Sequence, residues 1–165
     1  TIKPMVVKDQ KQLLSLTDME DTRFLHCNIK TLNLLVNCMA ATKAENEGRD
    51  ECVFHRGEIV TECAHSNISI IKDGVFITHP TDHHILPGIT RMHMIQICKE
   101  NNIPVDETPF TMEDLKNADE VFISSATQLC RRAGSLNGEN IGCKDSKLAE
   151  LIQNCYWDKY MEETK

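Results

Sequence analysis

Apolar residues along the chain change their spacing several times, and each change predicts an element. Residues 1–21 show no strong period, with Val6 and Val7 as a short strand. "TRFLHC" (22–27) reads as a strand. From Thr31 the period lengthens. Leu32, Leu35, Val36 and Met39 recur at i, i+3, i+4 and i+7, the mark of one helix face, and Gly48 is a plausible stop. Four strand-like runs follow: "ECVFHR" turns at Gly57 into "EIVTE", and "NISIIK" turns at Asp73-Gly74 into "VFITH". Asp-Gly between apolar runs is a strong hairpin signal, because both residues tolerate positive φ.

"HPTDHHILPG" (79–88) is a loop, and "ITRMHMIQICKENN" (89–102) is a helix apolar on most sides, expected to be well buried, with Met92 and Met94 as core filler. "IPVDETPF" is extended, and Thr111 with Asp114 forms a capping box for a short helix to about Asn117. "EVFISSA" is a buried strand that "TQLCRRAG" continues, and Leu136-Asn137-Gly138 is a turn. Leu148, Leu151, Ile152 and Cys155 give a last helix, ending in the solvated "MEETK". Mixed strands, helices and hairpins predict one α/β (α+β) domain on a partly antiparallel sheet, without repeats or low-complexity segments.

Composition narrows the function classes. A chain of 165 residues, 41% hydrophobic, is long enough for a real core. Its net charge of −7 argues against nucleic acid, which needs a basic surface. No run reaches membrane-spanning length, and no signal peptide opens the chain. "TIKPMVV" reads as an entry from something upstream, so a fragment or a processed chain is expected. The 8 cysteines include no C-x-x-C pair, which favours small buried hydrophobes in a reducing, cytoplasmic setting over zinc or a disulfide framework. His79, His83, His84 and His93, with Asp82, match no recognised zinc spacing; they read as surface histidines, and no metal is expected.

Three features carry candidate chemistry. Lys30 sits between an extended run and a helix, Glu62 ends a strand, and Gly88-Ile89-Thr90 opens a helix after a loop. Free N–H groups and the dipole make such a helix start an anion seat. An amine, a carboxylate and a phosphate seat are what pyridoxal phosphate asks of a protein, although spacing alone does not establish such a site. Taken singly, Lys30 also fits a surface lysine, Glu62 an edge-strand carboxylate in water, and Gly88-Thr90 a simple helix cap.

"CNIKTLNLL", "VTE" with "SN" (60–67), "THP" (78–80), "ILPGITR" (85–91), "ETPFT" (107–111) and "EVFISS" (120–125) occur in the order and near the spacing of D-amino acid aminotransferases. From about Arg23 to Ile141 the chain resembles this fold-type IV pyridoxal-phosphate family, which also holds branched-chain aminotransferases and aminodeoxychorismate lyase. The resemblance implies a mixed sheet in a partial barrel with flanking helices, and transamination of D-amino acids such as D-alanine with a 2-oxo acid acceptor. It implies a homodimer. It also implies that residues 1–165 are the C-terminal cofactor-binding domain, with the family's N-terminal small domain outside this chain.

By the same resemblance Lys30 holds the cofactor covalently and later moves a proton at the substrate α-carbon. Glu62 faces the pyridine nitrogen, and Arg23 stands behind on the ring side. Leu86 packs on the ring face. Gly88, Ile89 and Thr90 take the phosphate, and Ser125 and Ala126 border it. Arg91 is a surface residue or a structural ion pair. Three departures stand out. Cys63-Ala64-His65-Ser66 replaces the family's small, serine-rich stretch. Ala126 replaces a threonine, losing a phosphate hydrogen bond worth roughly 1–3 kcal/mol. "LCRRAG" replaces a Pro-containing run. Two alternatives stay open: a non-catalytic scaffold, or lyase or branched-chain chemistry in the same family.

Overall fold

The computed structural model describes residues 9–164, and the chain enters its sheet through a strand the apolar pattern does not mark, β1 (Leu14–Glu20). Only Leu14 and Leu16 supply the alternation; Thr17 is buried as well, and its hydroxyl donates to Glu47 and accepts from Lys43. Val6 and Val7 lie outside the described residues. The expected strand at 22–27 is instead irregular. The last ladder-like bond is Asp21 N–H to His55 O, after which Asp21 accepts from the Arg23 amide and from its guanidinium. Such local side-chain bonding competes with strand pairing.

The first helix, α1 (Leu35–Asn46), begins later than Thr31 and buries a different face from the one the large residues suggest. Ala40 and Ala44 pack against β2 (Glu51–Arg56), with Cys52, Phe54 and Ala64 in the same cluster. Leu32, Leu35 and Met39 are exposed, as are Phe24, Leu25, Ile29 and Leu34. The i, i+4 periodicity is real, but the large side chains point away from this fold.

The remaining elements fall close to where the pattern put them. They are β3 (Ile59–Cys63), β4 (Asn67–Lys72), β5 (Val75–Thr78), α2 (Ile89–Glu100), β6 (Val105–Asp106), α3 (Met112–Asn117), β7 (Glu120–Ser125), β8 (Leu129–Leu136), β9 (Glu139–Asn140) and α4 (Ser146–Glu163). Asp73 and Gly74 take φ of 51° and 75° and close β4 onto β5 as expected. Thr111 and Asp114 form the capping box of α3. On α2, Met94 is buried but Met92 is exposed, so only one of the two is core filler. On α4 the buried stripe is Ala149, Ile152 and Tyr156, while Leu151 is exposed.

The strands join one mixed sheet in the order β3-β2-β1-β8-β7-β4-β5-β6, with β9 on β8. β1 runs parallel to both neighbours, whereas β8-β7-β4-β5 is antiparallel. The sheet curls into an open half-barrel with flanking helices, as the resemblance implies. Period-2 alternation divides the core. Ile68, Ile70, Val121 and Ile123 face a cluster with Leu14, Leu16 and α3; Ile71 and Phe122 face another, under α2 and α4. All eight cysteines are free; five are buried, while Cys38 and Cys143 are exposed and Cys155 is half-buried. No helix among the described residues is long and apolar enough to cross a membrane.

Because Ala40 is fully buried against the sheet, Ala40→Leu should overpack this contact and cost about 1–3 kcal/mol of stability, read as a lower urea midpoint with unchanged slope.

Candidate active site

A buried carboxylate with three donors around it lies at the end of β3. Glu62 is 6% exposed. Its Oε1 accepts from Arg23 Nη1 at 2.5 Å, and its Oε2 accepts from the Leu86 amide at 3.0 Å and from Asn67 Nδ2 at 3.2 Å. The solvent-exposed reading of Glu62 is therefore excluded. Burial pushes its carboxyl up to about 7, against Arg23 and the Leu86 amide, which favour the charged form.

Arg23 is held from behind. Its Nε and Nη2 both donate to Asp21, and Nη2 also reaches His84 O at 3.2 Å. The guanidinium lies over the Phe54 ring, 4.5 Å from its centroid. Asp21 and Glu62 raise the Arg23 pKa beyond its usual range despite burial. Asp21 also takes Arg56 Nε and the Thr61 hydroxyl. Burial alone would raise Asp21; its Arg23 and Arg56 bonds outweigh that and lower it from 3.8 to about 2. The two acids and two arginines balance in charge, which a buried cluster requires. Sequence reasoning missed Asp21 and Arg56. The Asp21-x-Arg23 spacing is the only local hint.

Asn67 ties this carboxylate to the next loop. Its Nδ2 also donates to Leu86 O at 2.8 Å. A Cβ on Gly88 would sit 2.1 Å from Asn67 Oδ1, so Gly88 is glycine because Asn67 occupies that space. Ser66, which also holds the expected pattern, donates instead to Glu51 at 2.7 Å.

Gly88 is the N-cap of α2 and offers no side-chain cap, so the first-turn amides at Ile89 and Thr90 have no such partner. Ile89, Thr90 and Ala126 line one cavity of about 170 Å³, with Leu129, Tyr156 and His93. The Tyr156 hydroxyl donates to Thr90 Oγ1 at 3.3 Å, a contribution from α4 that sequence reasoning did not foresee. Ser125 stands beside Ala126 with its hydroxyl accepting from the Gln128 amide. Arg91 is 1% exposed and pairs with Glu107 at 2.9 Å, the structural ion pair of the two readings.

The expected residues thus form two groups joined through Gly88: Arg23, Glu62 and Leu86 on one side, Ile89, Thr90 and Ala126 on the other. Lys30 is exposed and makes no hydrogen bond or ion pair with either group among the described residues. Its segment is tied to the 79–88 loop through the Cys27 amide, which donates to His83 O at 2.9 Å.

A family model described as amino-transferase class IV matches residues 3–136. The chain belongs to this family. A D-alanine aminotransferase from Listeria monocytogenes is 59% identical over 108 residues, covering 66% of this chain and 37% of that protein. One from Staphylococcus haemolyticus is 40% identical over 156 residues, covering 93% and 55%. The chain therefore spans only about a third to a half of these relatives' length. Among solved structures, Escherichia coli branched-chain amino acid aminotransferase is 28% identical with a TM-score of 0.79, over 87% of this chain and 51% of that one. A Legionella pneumophila protein assigned as a 4-amino-4-deoxychorismate lyase is 26% identical with a TM-score of 0.79, over 92% and 58%.

The lowered Asp21 value has a definite consequence. Its contribution to stability is complete above its ordinary value of 3.8 and is lost as pH falls toward about 2. Asp21→Asn should remove about 2 kcal/mol at neutral pH and flatten the acid limb of a Tm-against-pH profile by that amount.

Proposed function

We propose that the chain is the pyridoxal-phosphate-binding part of an aminotransferase that moves the amino group of a D-amino acid, D-alanine among them, to a 2-oxo acid. The observation that carries this reading is Glu62: a buried carboxylate, held by Arg23 and a loop amide, two residues' reach from an uncapped helix start. Likeness to D-alanine aminotransferases supports D-alanine over the branched-chain and lyase alternatives, since identity to them reaches 59% against 28% and 26% for those structures.

Glu62 with Arg23, and the uncapped start of α2, suit the ring nitrogen and the phosphate of this cofactor, while Lys30 stands apart from them in the described fold. Bound there, pyridoxal phosphate would supply an electron sink for bond breaking at the substrate α-carbon. Glu62 would keep a proton on the pyridine nitrogen, and Arg23 fixes the carboxylate's direction. The amides of Ile89 and Thr90, the Thr90 hydroxyl and the Ala126 amide orient the phosphate. Leu86 covers one ring face. Lys30 would hold the cofactor and would move a proton at the substrate α-carbon.

The exposed apolar set Phe24, Leu25, Ile29, Leu34, Leu35 and Met39 flanks Lys30 in sequence. So many exposed large apolar side chains in one short stretch suit an interface. We assign it to a second copy of the chain in a homodimer; covering it also takes the Lys30 segment out of water.

Adding pyridoxal phosphate should give a visible absorbance band that disappears in Lys30→Ala and persists in Lys99→Ala; no band at saturating cofactor would favour the scaffold alternative. Sedimentation should give a dimer mass that falls to the monomer in Leu35→Asp/Met39→Asp, and a monomeric wild-type chain would refute the interface.

A further inference from the structure

The loop that leads into α2 gathers a second set of donor atoms away from Glu62. His79, at the end of β5, is 2% exposed. Asp82 and His84 follow in the pattern His-x-x-Asp-x-His. One ligand atom from each of the three lies within 4.8 Å of the others. The surface reading of these histidines is therefore wrong for His79. His93 stands apart, against the Tyr156 ring, and His83 only stacks on His84 with ring centroids 4.0 Å apart.

The hydrogen bonds decide which ring atoms are available. His79 Nδ1 lies 2.9 Å from Val60 O. A carbonyl only accepts, so Nδ1 carries a proton, and in the neutral ring Nε2 carries the lone pair. That lone pair faces Asp82 Oδ2 at 3.3 Å, and the same oxygen lies 3.1 Å from His84 Nδ1. In the neutral ring this sets two acceptors against each other, a gap that either a metal cation or a second ring proton on His79 fills. Zinc bonds to histidine nitrogen and carboxylate oxygen near 2.0–2.2 Å, so neighbouring tetrahedral ligands stand about 3.4 Å apart. The two spacings to Asp82 Oδ2, 3.1 and 3.3 Å, need little adjustment, and the two imidazole nitrogens lie within 4.8 Å of each other. The supporting contacts are also those of a metal site. Val60 O fixes the His79 tautomer, and the His84 amide donates to Asp82 Oδ1 at 2.7 Å.

We propose that His79, Asp82 and His84 bind a first-row divalent transition-metal cation such as Zn²⁺, with the remaining position open to water. The set of two imidazoles and one carboxylate suits such an ion better than Mg²⁺ or Ca²⁺, which prefer all-oxygen shells. The ion is structural. It fastens the end of β5 to the loop whose His84 carbonyl receives Arg23 and whose Leu86 amide reaches Glu62. Its effect on the candidate active site is to stiffen that loop.

The test uses the full chain freed of metal and without pyridoxal phosphate, so its result is independent of the proposed function. Exposed Cys38 and Cys143 are first replaced by Ser to remove competing thiols. Calorimetric titration with ZnCl₂ should show one saturable equivalent, and Tm should rise on loading. His84→Ala and Asp82→Asn should each weaken binding by about tenfold or more, while His26→Ala should leave it unchanged. Asp82→Asn keeps an acceptor for the His84 amide, and so still reports if His84→Ala does not fold. The proposal is overturned by no saturable binding, or by undiminished affinity in Asp82→Asn. It is equally overturned if ¹⁵N spectra show both His79 ring nitrogens protonated at neutral pH and unmoved by Zn²⁺, which would make a proton the cation in that gap.

Discussion

The contact between Arg23 and Glu62 governs the arrangement around it. A carboxylate so deeply buried is tolerated only with its charge answered and its oxygens hydrogen-bonded. Arg23 answers one oxygen; the Leu86 amide and Asn67 answer the other. Each partner then draws in an element. Arg23 anchors the irregular segment after β1 through Asp21, and Leu86 brings the 79–88 loop to the end of β3. Asn67, the first residue of β4, lies over Gly88 and so sets where α2 begins. The polar cluster does for the site what the apolar clusters do for the sheet: it fixes three segments, distant in sequence, relative to one another.

That network explains why the sequence was legible in some places and opaque in others. The hairpin at Asp73-Gly74 and the capping box at Thr111 depend on residues within four positions of each other, so local chemistry predicts them. The helix at 89–102 and the strand at 120–125 carry enough apolar residues to declare their period. The segment 14–27 does not. Leu14 and Leu16 are too few to announce β1, and Thr17 is buried by partners that lie about 30 residues or more away. At 22–27 the apolar letters suggest a strand, but Asp21 captures the Arg23 backbone and side chain and ends the ladder. No periodicity rule contains that competition. Asp21 and Arg56 went unnoticed for the same reason: their importance lies in what they touch.

The candidate site shows the same division. Motif order brought Glu62, Leu86, Gly88, Ile89, Thr90 and Ala126 to attention, and the fold draws them into two adjoining groups. Tyr156 could not be found this way, because it reaches Thr90 from a helix 66 residues further along the chain. Ser66 shows the limit of matching letters: it keeps the pattern, yet its hydroxyl serves Glu51.

Helix α1 carries the remaining tension. Amphipathic periodicity tells which residues want to leave water, and a fold of residues 9–164 should satisfy them by its own packing. It satisfies Ala40 and Ala44, the smallest ones, and leaves Leu32 96% and Leu35 71% exposed. Fully burying one leucine is worth roughly 1.5–3 kcal/mol, so a surface covering several of them at once gains more than any single hydrogen bond in the site. The same stretch contains Lys30, an expected site residue with no hydrogen bond or ion pair among the described residues. Under the proposed function Lys30 and its apolar neighbours share one requirement, burial, that a single covering surface would meet. The proposed chemistry at Lys30 and the proposed association through the α1 face are in this sense one structural problem, separate from the Arg23–Glu62 contact that the chain forms by itself.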